Sequence, residues 1–284
     1  MAVNEEEFVE LLEGESAIDL NNLREVSMFG VPDSVRGEVW KYLLGVSKED
    51  KSQEMKMVRK LKEEYDQLDK TIHSEDIRNI SRELKRFRPN ITELHTDTNR
   101  KRFVYLITAY VNSHTEFEYI SNGTLSLLAP FVYLCEEEYA AFFCFDSLVK
   151  RMEEEKFSAD DLPQNVSMLM MFFQSLLPDL FTYFEDEEVG PNDWATPWVQ
   201  FLLAKELPFD CVLRLWDTYF SCEEGLRLHV YICLAILVQF HEDLTELEHS
   251  ELKGFLQHLP PMDMDQLIAQ AYNIKEDLTL KNLI

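Results

Sequence analysis

Hydrophobic positions recur at helical spacing in several separated stretches of the chain. In residues 30–45, GVPDSVRGEVWKYLLG, Pro32 suits the first turn of a helix and Gly45 suits its carboxyl-terminal stop. The apolar residues of this stretch share one helical face: Val35, Val39 and Leu43. The pattern predicts a complete short helix with one apolar side.

Two further helices are predicted in the second half of the chain. Residues 208–220, PFDCVLRLWDTYF, place Asp210 as N-cap before apolar residues at i, i+3, i+4, i+7 and i+8. These residues are Val212, Leu215, Trp216, Tyr219 and Phe220. Residues 228–240 are apolar nearly all round, so this helix should be buried on most sides.

A last helix is predicted over residues 260–272, with Asp263 or Asp265 as its N-cap. Glycine is scarce, at eight of 284 residues, and Leu, Glu, Lys and Met are abundant. These residues favour helix over strand by intrinsic propensity. The sequence therefore predicts an all-α protein, and a boundary near residues 122–130 would divide its helices into two packed sub-bundles.

Composition excludes several classes of enzyme. The closest glycines are seven positions apart, which leaves no phosphate loop, dinucleotide turn or nucleophile elbow. The seven histidines are scattered, and none of the five cysteines has metal-ligand spacing, so no metal site and no cofactor of its own is expected. The cysteines predict reduced thiols in the cytoplasm, and residues 228–240, the longest apolar run, are too short to cross a bilayer.

Charge excludes two kinds of partner and points to one segment. The formal net charge is -26, which predicts neither nucleic-acid binding nor direct membrane insertion. Residues 51–102, however, hold 14 Lys and Arg against 10 Asp and Glu, whereas the remainder holds 13 against 43. This local excess of basic residues is a candidate contact surface.

The basic segment contains ISRELKRFRP, residues 80–89. Its apolar positions form one helical stripe: Ile80, Leu84 and Phe87. Arg86 points away from the stripe, and Glu83 can pair with it on the surface of a helix that Pro89 ends. One interpretation is a surface ion pair that contributes little to the stability of the fold. The other is an arginine held by a carboxylate so that it reaches a transferring phosphate in another protein.

Two other segments carry residue pairs of interest. Arg36 and Trp40 lie four apart on the first predicted helix, where a guanidinium can stack on an indole as a structural clamp. Residues 119–131, YISNGTLSLLAPF, place the carboxamide of Asn122 beside Gly123, just ahead of a buried apolar run.

Taken in this order, the segments resemble the TBC domain of Rab GTPase-activating proteins, over about Leu23 to Ala271. LREVSMFGVPDSVRGEVWKYLLG resembles the family's G-[IV]-P-x-x-x-R-x-x-x-W-x-x-L-L-G, and ISRELKRFRP resembles I-x-x-D-x-x-R-T-x-P. NGTLSLLAPF resembles the Y-x-Q-G-M segment and the apolar run after it, and RLWDTYF followed by HVYICLAIL resembles the closing W-D helix pair. The resemblance implies a TBC domain over residues 23–272, between an acidic lead-in at 1–22 and a tail at 273–284.

The resemblance implies an all-helical protein that supplies an arginine finger and a glutamine finger to a GTP-bound Rab. The arginine finger would be Arg86, with Glu83 for the family's aspartate and Phe87 for its threonine. Arg36 and Trp40 would shape the fold beside it. GTP and Mg²⁺ would be carried by the partner GTPase, so the chain would regulate an enzyme rather than act on its own substrate.

The glutamine position departs from the family. Alignment without a gap places Asn122 there, keeps Gly123 and puts Ile120 at the tyrosine position, whereas alignment on Tyr119 places Ser121 there. The ungapped alternative is preferred because it preserves the glycine. Asparagine is one methylene, about 1.5 Å, shorter than glutamine, and a group that positions water tolerates little misplacement.

The leading hypothesis is an activator of a small Rab-like GTPase in its GTP form, cytoplasmic and connected with vesicle traffic. The alternative is a catalytically weak or inactive TBC-fold binding module that recognises a GTPase or an adaptor subunit. The LLAP run and residues 256–268 also resemble compact TBC proteins that form half of a two-component activator at spindle poles. Partners would then recruit the chain to membranes or spindle poles. A helical scaffold without a GTPase partner is the third interpretation.

Overall fold

The computed structural model describes residues 4–14, 17–114, 116, 119 and 122–281. These residues form sixteen α-helices, four short 3₁₀ helices and no β-strand, which confirms the all-α prediction. In chain order the helices are α1 (Glu5–Leu12), α2 (Leu20–Ser27), α3 (Asp33–Leu43), α4 (Glu54–Asp66), α5 (Ser74–Leu84), α6 (Asp97–Ser113), α7 (Gly123–Leu134), α8 (Glu138–Glu154), α9 (Leu162–Leu176), α10 (Pro178–Asp186), α11 (Ala195–Gln200), α12 (Phe209–Ser221), α13 (His229–Gln239), α14 (His241–Leu244), α15 (His249–Gln257) and α16 (Met264–Leu280).

Helix α3 forms where its apolar face and end signals predict it. Pro32 is its N-cap residue rather than part of the first turn, and Gly45 follows the last turn with a φ of +73°. Val39 and Leu43 are buried and Val35 is half-buried. The predicted apolar face is therefore the face that packs inward.

Helix α7 is held closely by α3 and α6. A β-carbon on Gly37 of α3 would lie 2.5 Å from the carbonyl oxygen of Leu134, so glycine permits this approach. Arg102 of α6 is buried and donates hydrogen bonds to the carbonyls of Val132 at 3.1 Å and Cys135 at 2.6 Å. Its guanidinium thus satisfies carbonyls that the carboxyl end of a helix leaves unpaired.

Helix α12 has the predicted apolar face but a different start. The prediction that Asp210 is the N-cap is wrong: Pro208 is the N-cap residue, and its carbonyl accepts the first helical hydrogen bond, from the amide of Val212 at 3.0 Å. Asp210 lies in the first turn, where its carboxylate still meets the positive end of the helix dipole. All five predicted inward residues are at most 1% exposed.

The last two predicted helices also form. In α13, residues 229–237 are all buried, as the apolar pattern predicts. Asp263 caps α16, because its side chain accepts from the amides of Asp265 and Gln266 at 3.0 and 3.1 Å. Helix α16 continues to Leu280 and so includes most of the residues 273–284 that the sequence analysis set apart as a tail.

The chain divides into two compact units, Met1–Arg151 and Met152–Ile284, with the division inside α8. Residues 122–130, where the sequence analysis places the division, lie within the first unit. In that unit α3 packs on α1, α2 and α7, and α6 packs on α5 and α7; in the second, α13 packs on α9, α11 and α16. None of the described helices combines the length and apolar composition needed to span a bilayer.

Candidate functional site

Arg86 lies in the turn that follows α5. The stripe predicted beneath it is confirmed, since Ile80, Leu84 and Phe87 are at most 5% exposed. Helix α5 ends at Leu84, earlier than the predicted end at Pro89, because the chain tightens into a turn with the Arg86 amide bonded to the Glu83 carbonyl at 2.9 Å. Phe87 packs edge-on against Phe103 of α6, with ring centroids 6.4 Å apart. A buried phenylalanine therefore anchors the turn on which Arg86 is exposed.

Glu83 bonds Tyr119 rather than Arg86. The Tyr119 hydroxyl donates to Glu83 Oε2 at 2.5 Å. Within the described residues, the Arg86 side chain has neither a hydrogen bond nor an ion pair, so the predicted Glu83–Arg86 pair is not formed there. Burial, and then the hydrogen bond to Glu83, raise the pKa of Tyr119, which keeps its hydroxyl protonated as the donor at neutral pH. The described residues therefore leave the exposed guanidinium of Arg86 unpaired.

Asn122 precedes α7 in an uncommon backbone conformation. Its φ is +63° and its ψ is -35°, and its carbonyl accepts from the amide and the hydroxyl of Ser126 at 3.0 and 2.8 Å. The exposed carboxamide makes no capping hydrogen bond. Gly123, the first residue of α7, is buried. Ile120 and Ser121, which belong to the competing alignments, lie outside the described residues.

Positive φ angles occur in both candidate finger segments. Arg88, two residues after Arg86, has a φ of +41°. Few residues other than glycine tolerate this region, although asparagine is among those that do. Such conformations cost free energy and are concentrated at functional sites. The backbone thus provides one reason for asparagine at position 122 that does not depend on any chemistry of its side chain.

Arg36 and Trp40 are buried inside the first unit. The guanidinium of Arg36 donates to the carboxylate of Asp33 and, at 2.5 Å, to the carbonyl of Val31. Trp40 packs edge-on against Phe131 of α7, with centroids 5.9 Å apart. Both residues therefore hold α3 in place through these partners.

Two residues of this region are not among the sequence candidates. Tyr119 joins the segment that leads to Asn122 with the segment that leads to Arg86, and the only sequence signal for it was its part in the competing alignment. Arg102 secures the carboxyl end of α7, and burial lowers its pKa. Nothing in the local pattern of α6 distinguishes this arginine from an exposed one.

Arg86 and Asn122 are both exposed. A cavity of about 210 Å³ lies elsewhere, among Lys41, Val46, Met57, Leu61 and Tyr139, and it is lined by neither Arg86 nor Asn122. The described residues hold no group of three or more side chains that could bind a metal ion. An exposed guanidinium and an exposed amide suit action on another macromolecule more than on a small substrate.

Residues 33–245, more than half of the chain, match the Rab-GTPase-TBC domain. The chain belongs to the Rab-GTPase-TBC domain family. Human TBC1 domain family member 22A is 27% identical over 311 residues, which cover 95% of this chain and 59% of the human protein. The GTPase-activating protein gyp1 of Schizosaccharomyces pombe is 24% identical over 303 residues, which cover 90% of this chain and 58% of that protein. The chain spans about three fifths of the length of these relatives.

Solved structures of the family share the fold. The crystal structure of the Ypt/Rab-GAP domain of Gyp1p superposes with a TM-score of 0.83 at 22% identity, covering 96% of this chain and 97% of that one. The Chlamydomonas flagellar RabGAP TBC domain gives a TM-score of 0.70 at 21% identity, covering 94% and 90%. The TBC resemblance inferred from the motifs is therefore confirmed at the level of family and fold.

Proposed function

We propose that this TBC-family chain is a GTPase-activating protein for a small Rab-like GTPase, with Arg86 as its arginine finger. The observation that carries the proposal is the exposed Arg86 side chain, without a partner among the described residues, at the motif position of the finger. A guanidinium there can neutralise the charge that develops on the β- and γ-phosphates during hydrolysis. An arginine supplied in trans accelerates hydrolysis by about 10³- to 10⁵-fold in such systems.

The chain's own residues present the finger, and the GTPase carries the GTP and its Mg²⁺. Burial of Phe87 fixes the turn, and the amide of Arg86 is held by the Glu83 carbonyl at 2.9 Å. The long guanidinium side chain then extends from a fixed backbone. This arrangement lowers the entropy lost when the finger enters the partner's nucleotide site.

Asn122 is the second group that we assign to the reaction. Its exposed carboxamide can donate and accept hydrogen bonds, as is needed to orient the attacking water. It is shorter than the family's glutamine by about 1.5 Å, so its contribution should be weaker. The GTPase's own glutamine then takes a larger part in orienting the water.

Phosphate release from a panel of purified, GTP-loaded Rabs tests the proposal. We expect the wild-type chain to accelerate at least one Rab and Arg86→Ala to reduce that acceleration by about 10³-fold or more. Arg59→Ala is the matched control, because Arg59 is also exposed but pairs with Glu63 on α4 at 2.7 Å. No acceleration of any Rab, or an equal rate for Arg86→Ala and the wild type, contradicts the proposal.

A second candidate function is a TBC-fold binding module that recognises a GTPase or an adaptor without accelerating hydrolysis. The observation in its favour is the positive φ of Asn122. This backbone conformation accounts for an asparagine at position 122 even if its side chain has no part in catalysis. Pull-down of the chain by GTP-locked and GDP-locked Rabs, combined with the hydrolysis assay, separates the two functions and also the scaffold without a GTPase. A binding module prefers one nucleotide state yet leaves hydrolysis unchanged. Recruitment to membranes or spindle poles through an adaptor belongs to this second candidate.

A further inference from the structure

The outer side of α5 carries a row of basic residues that ends beside Arg86. We call this row the α5 basic face; it consists of Arg78, Arg82 and Lys85. At 100° per residue, these positions fall within about 60° of the helix circumference. Ile80 and Leu84 lie on the other side, and they are buried. The helix therefore presents basic side chains to solvent along the side opposite the one that packs against the protein.

The acidic residues in the first turn of α5, Glu75 and Asp76, lie at the end of the helix away from Arg86. Residues 77–92 contain five Lys and Arg and one acid, Glu83, whose carboxylate accepts the Tyr119 hydrogen bond. Arg82 and Lys85 are exposed, and no described residue forms a side-chain hydrogen bond or ion pair with either. Among the described residues, the charge of these two side chains is therefore left unpaired.

Helix α4 shows the contrasting arrangement. Its exposed Arg59 pairs with Glu63 at 2.7 Å, and Lys60 pairs with Glu64 at 3.5 Å, both one helical turn apart. In a chain with 53 acids against 27 Lys and Arg, neighbouring carboxylates are common. Two adjacent unpaired basic residues next to a third, Arg86, therefore form a positive surface within an acidic protein.

Charge indicates the kind of partner that this surface fits. A positively charged surface is complementary to a negatively charged one. Nucleic acids, anionic membranes and acidic protein surfaces all provide negative charge. Nucleic acids and membranes are extended, and they would also meet the remaining surface of a chain whose net charge is -26. A folded protein with a local acidic patch meets the α5 basic face alone, since salt screens charges beyond about 8 Å at physiological ionic strength.

We propose that the α5 basic face docks on an acidic surface of the GTPase next to its bound nucleotide. The inference rests on the proposed function, because Arg86 at the phosphates brings Arg82 and Lys85 against the protein surface around them. These two side chains attract the GTPase before contact and orient it, and Arg86 then acts on the reacting phosphate. Arg82 and Lys85 are thus docking residues that favour GTPases with an acidic rim around the nucleotide.

Charge reversal tests the inference. We compare the wild type, Arg82→Glu/Lys85→Glu, and Arg59→Glu/Lys60→Glu, which changes the net charge equally at paired positions of α4. Association with a panel of Rabs loaded with a non-hydrolysable GTP analogue is followed by stopped flow at about 25 and 200 mM salt. We expect the α5 variant to associate about tenfold or more slowly at low salt, with a smaller difference at high salt. In hydrolysis assays its KM should rise by more than its kcat falls.

Each other outcome contradicts the inference in a distinguishable way. Equal association of the α5 and α4 variants overturns it and leaves the GTPase-activating function standing. Absence of binding to every Rab overturns both. Binding of the wild type to phosphatidylserine vesicles that the α5 variant loses, with Rab association unchanged, assigns the face to lipid headgroups. A wild-type dimer in sedimentation that the α5 variant dissociates assigns it to a second copy of this chain.

A neutral variant protects the test against a folding defect. Cations at the carboxyl end of α5 interact favourably with the helix dipole, so glutamates there lower stability slightly. Arg82→Gln/Lys85→Gln removes the charges with a smaller effect on the dipole. Its association rate should lie between those of the wild type and the glutamate variant, at unchanged far-ultraviolet circular dichroism. A rate equal to that of the wild type overturns the inference.

Discussion

The hydroxyl of Tyr119 donates a hydrogen bond of 2.5 Å to Glu83 Oε2 across 36 positions of sequence. Each residue lies three positions before a candidate finger residue, Arg86 for Glu83 and Asn122 for Tyr119. The bond joins the segment that carries one candidate finger to the segment that carries the other. Because Glu83 is engaged by Tyr119, its effect on Arg86 is exerted through the position of the turn rather than through an ion pair.

Tyr119→Phe should therefore impair catalysis without unfolding the chain. Loss of the hydroxyl releases the two segments, and misplacement of a reacting group by about 1 Å can cost up to about 10²-fold in rate. We expect a fall of about 10-fold in kcat of the Rab assay, with a smaller change in KM. Tyr105→Phe, at an exposed tyrosine of α6, is the control and should retain the wild-type rate. Equal rates for the two variants would show that the bond does not position the fingers.

Asn122 allows a test that separates backbone conformation from side-chain chemistry. Its φ of +63° is easily adopted by glycine and poorly by glutamine. In urea unfolding we expect Asn122→Gly to be equal to the wild type or more stable by up to about 1 kcal/mol. Asn122→Gln should be less stable by about 1 kcal/mol.

The same two variants should change hydrolysis differently. Asn122→Gly removes the carboxamide and should lower the rate, whereas Asn122→Gln restores the family's residue and should raise the rate per folded molecule. If Asn122→Gly keeps the full rate of an active wild type, the residue serves only the backbone turn.

Local periodicity was sufficient to predict much of the fold. Helices α3, α12, α13 and α16 could be predicted from the sequence because each buries one apolar stripe or nearly its whole surface. The spacing of apolar residues along the chain reflects that burial. The ends of the helices were harder to predict from the sequence. Pro208 rather than Asp210 starts α12, since cap position depends on where the backbone becomes extended, and several residues near a helix start can supply a favourable carboxylate.

The candidate site was predictable only as a set of motif positions. The sequence placed Arg86 and Phe87 correctly as exposed and buried, because helical spacing relates them to Ile80 and Leu84. It paired Glu83 with the nearest cation, and the structure gives it to Tyr119, far along the chain. Such a contact depends on the path of α6 between the two segments, and no local pattern encodes that path.

Two glycines inside helices predict opposite responses to alanine. A β-carbon at Gly37 would lie 2.5 Å from the Leu134 carbonyl oxygen, whereas at Gly254 of α15 it would meet no atom within 4 Å. Gly37→Ala should therefore separate α3 from α7 and destabilise the first unit by about 1–3 kcal/mol. Gly254→Ala should stabilise by about 0.5–1 kcal/mol through helix propensity. Thermal unfolding measures both, and a loss of stability at Gly254 equal to that at Gly37 would contradict the packing argument.

His229 predicts how stability depends on pH. The residue is fully buried in the second unit; Tyr219 OH lies 2.6 Å from Nδ1, and the Trp198 carbonyl lies 2.9 Å from Nε2. A carbonyl can only accept, so Nε2 carries the hydrogen and Nδ1 accepts from Tyr219. Burial lowers the pKa of His229 from 6.5 to about 4. The folded chain therefore keeps a neutral imidazole well below the pH at which the unfolded chain protonates it.

The free energy of unfolding should consequently fall as the pH drops from about 6.5 towards 4, since the unfolded state binds a proton that the folded state does not. Between pH 7 and pH 5 this histidine should account for a loss of about 2 kcal/mol. His229→Gln removes the titrating group, so its urea-derived stability should decline less over that range by about this amount. If the variant folds poorly, NMR titration of the His229 ring in the folded wild type measures its pKa directly. A midpoint near 6.5, or equal pH dependence of the two proteins, would contradict the assignment of a buried neutral imidazole.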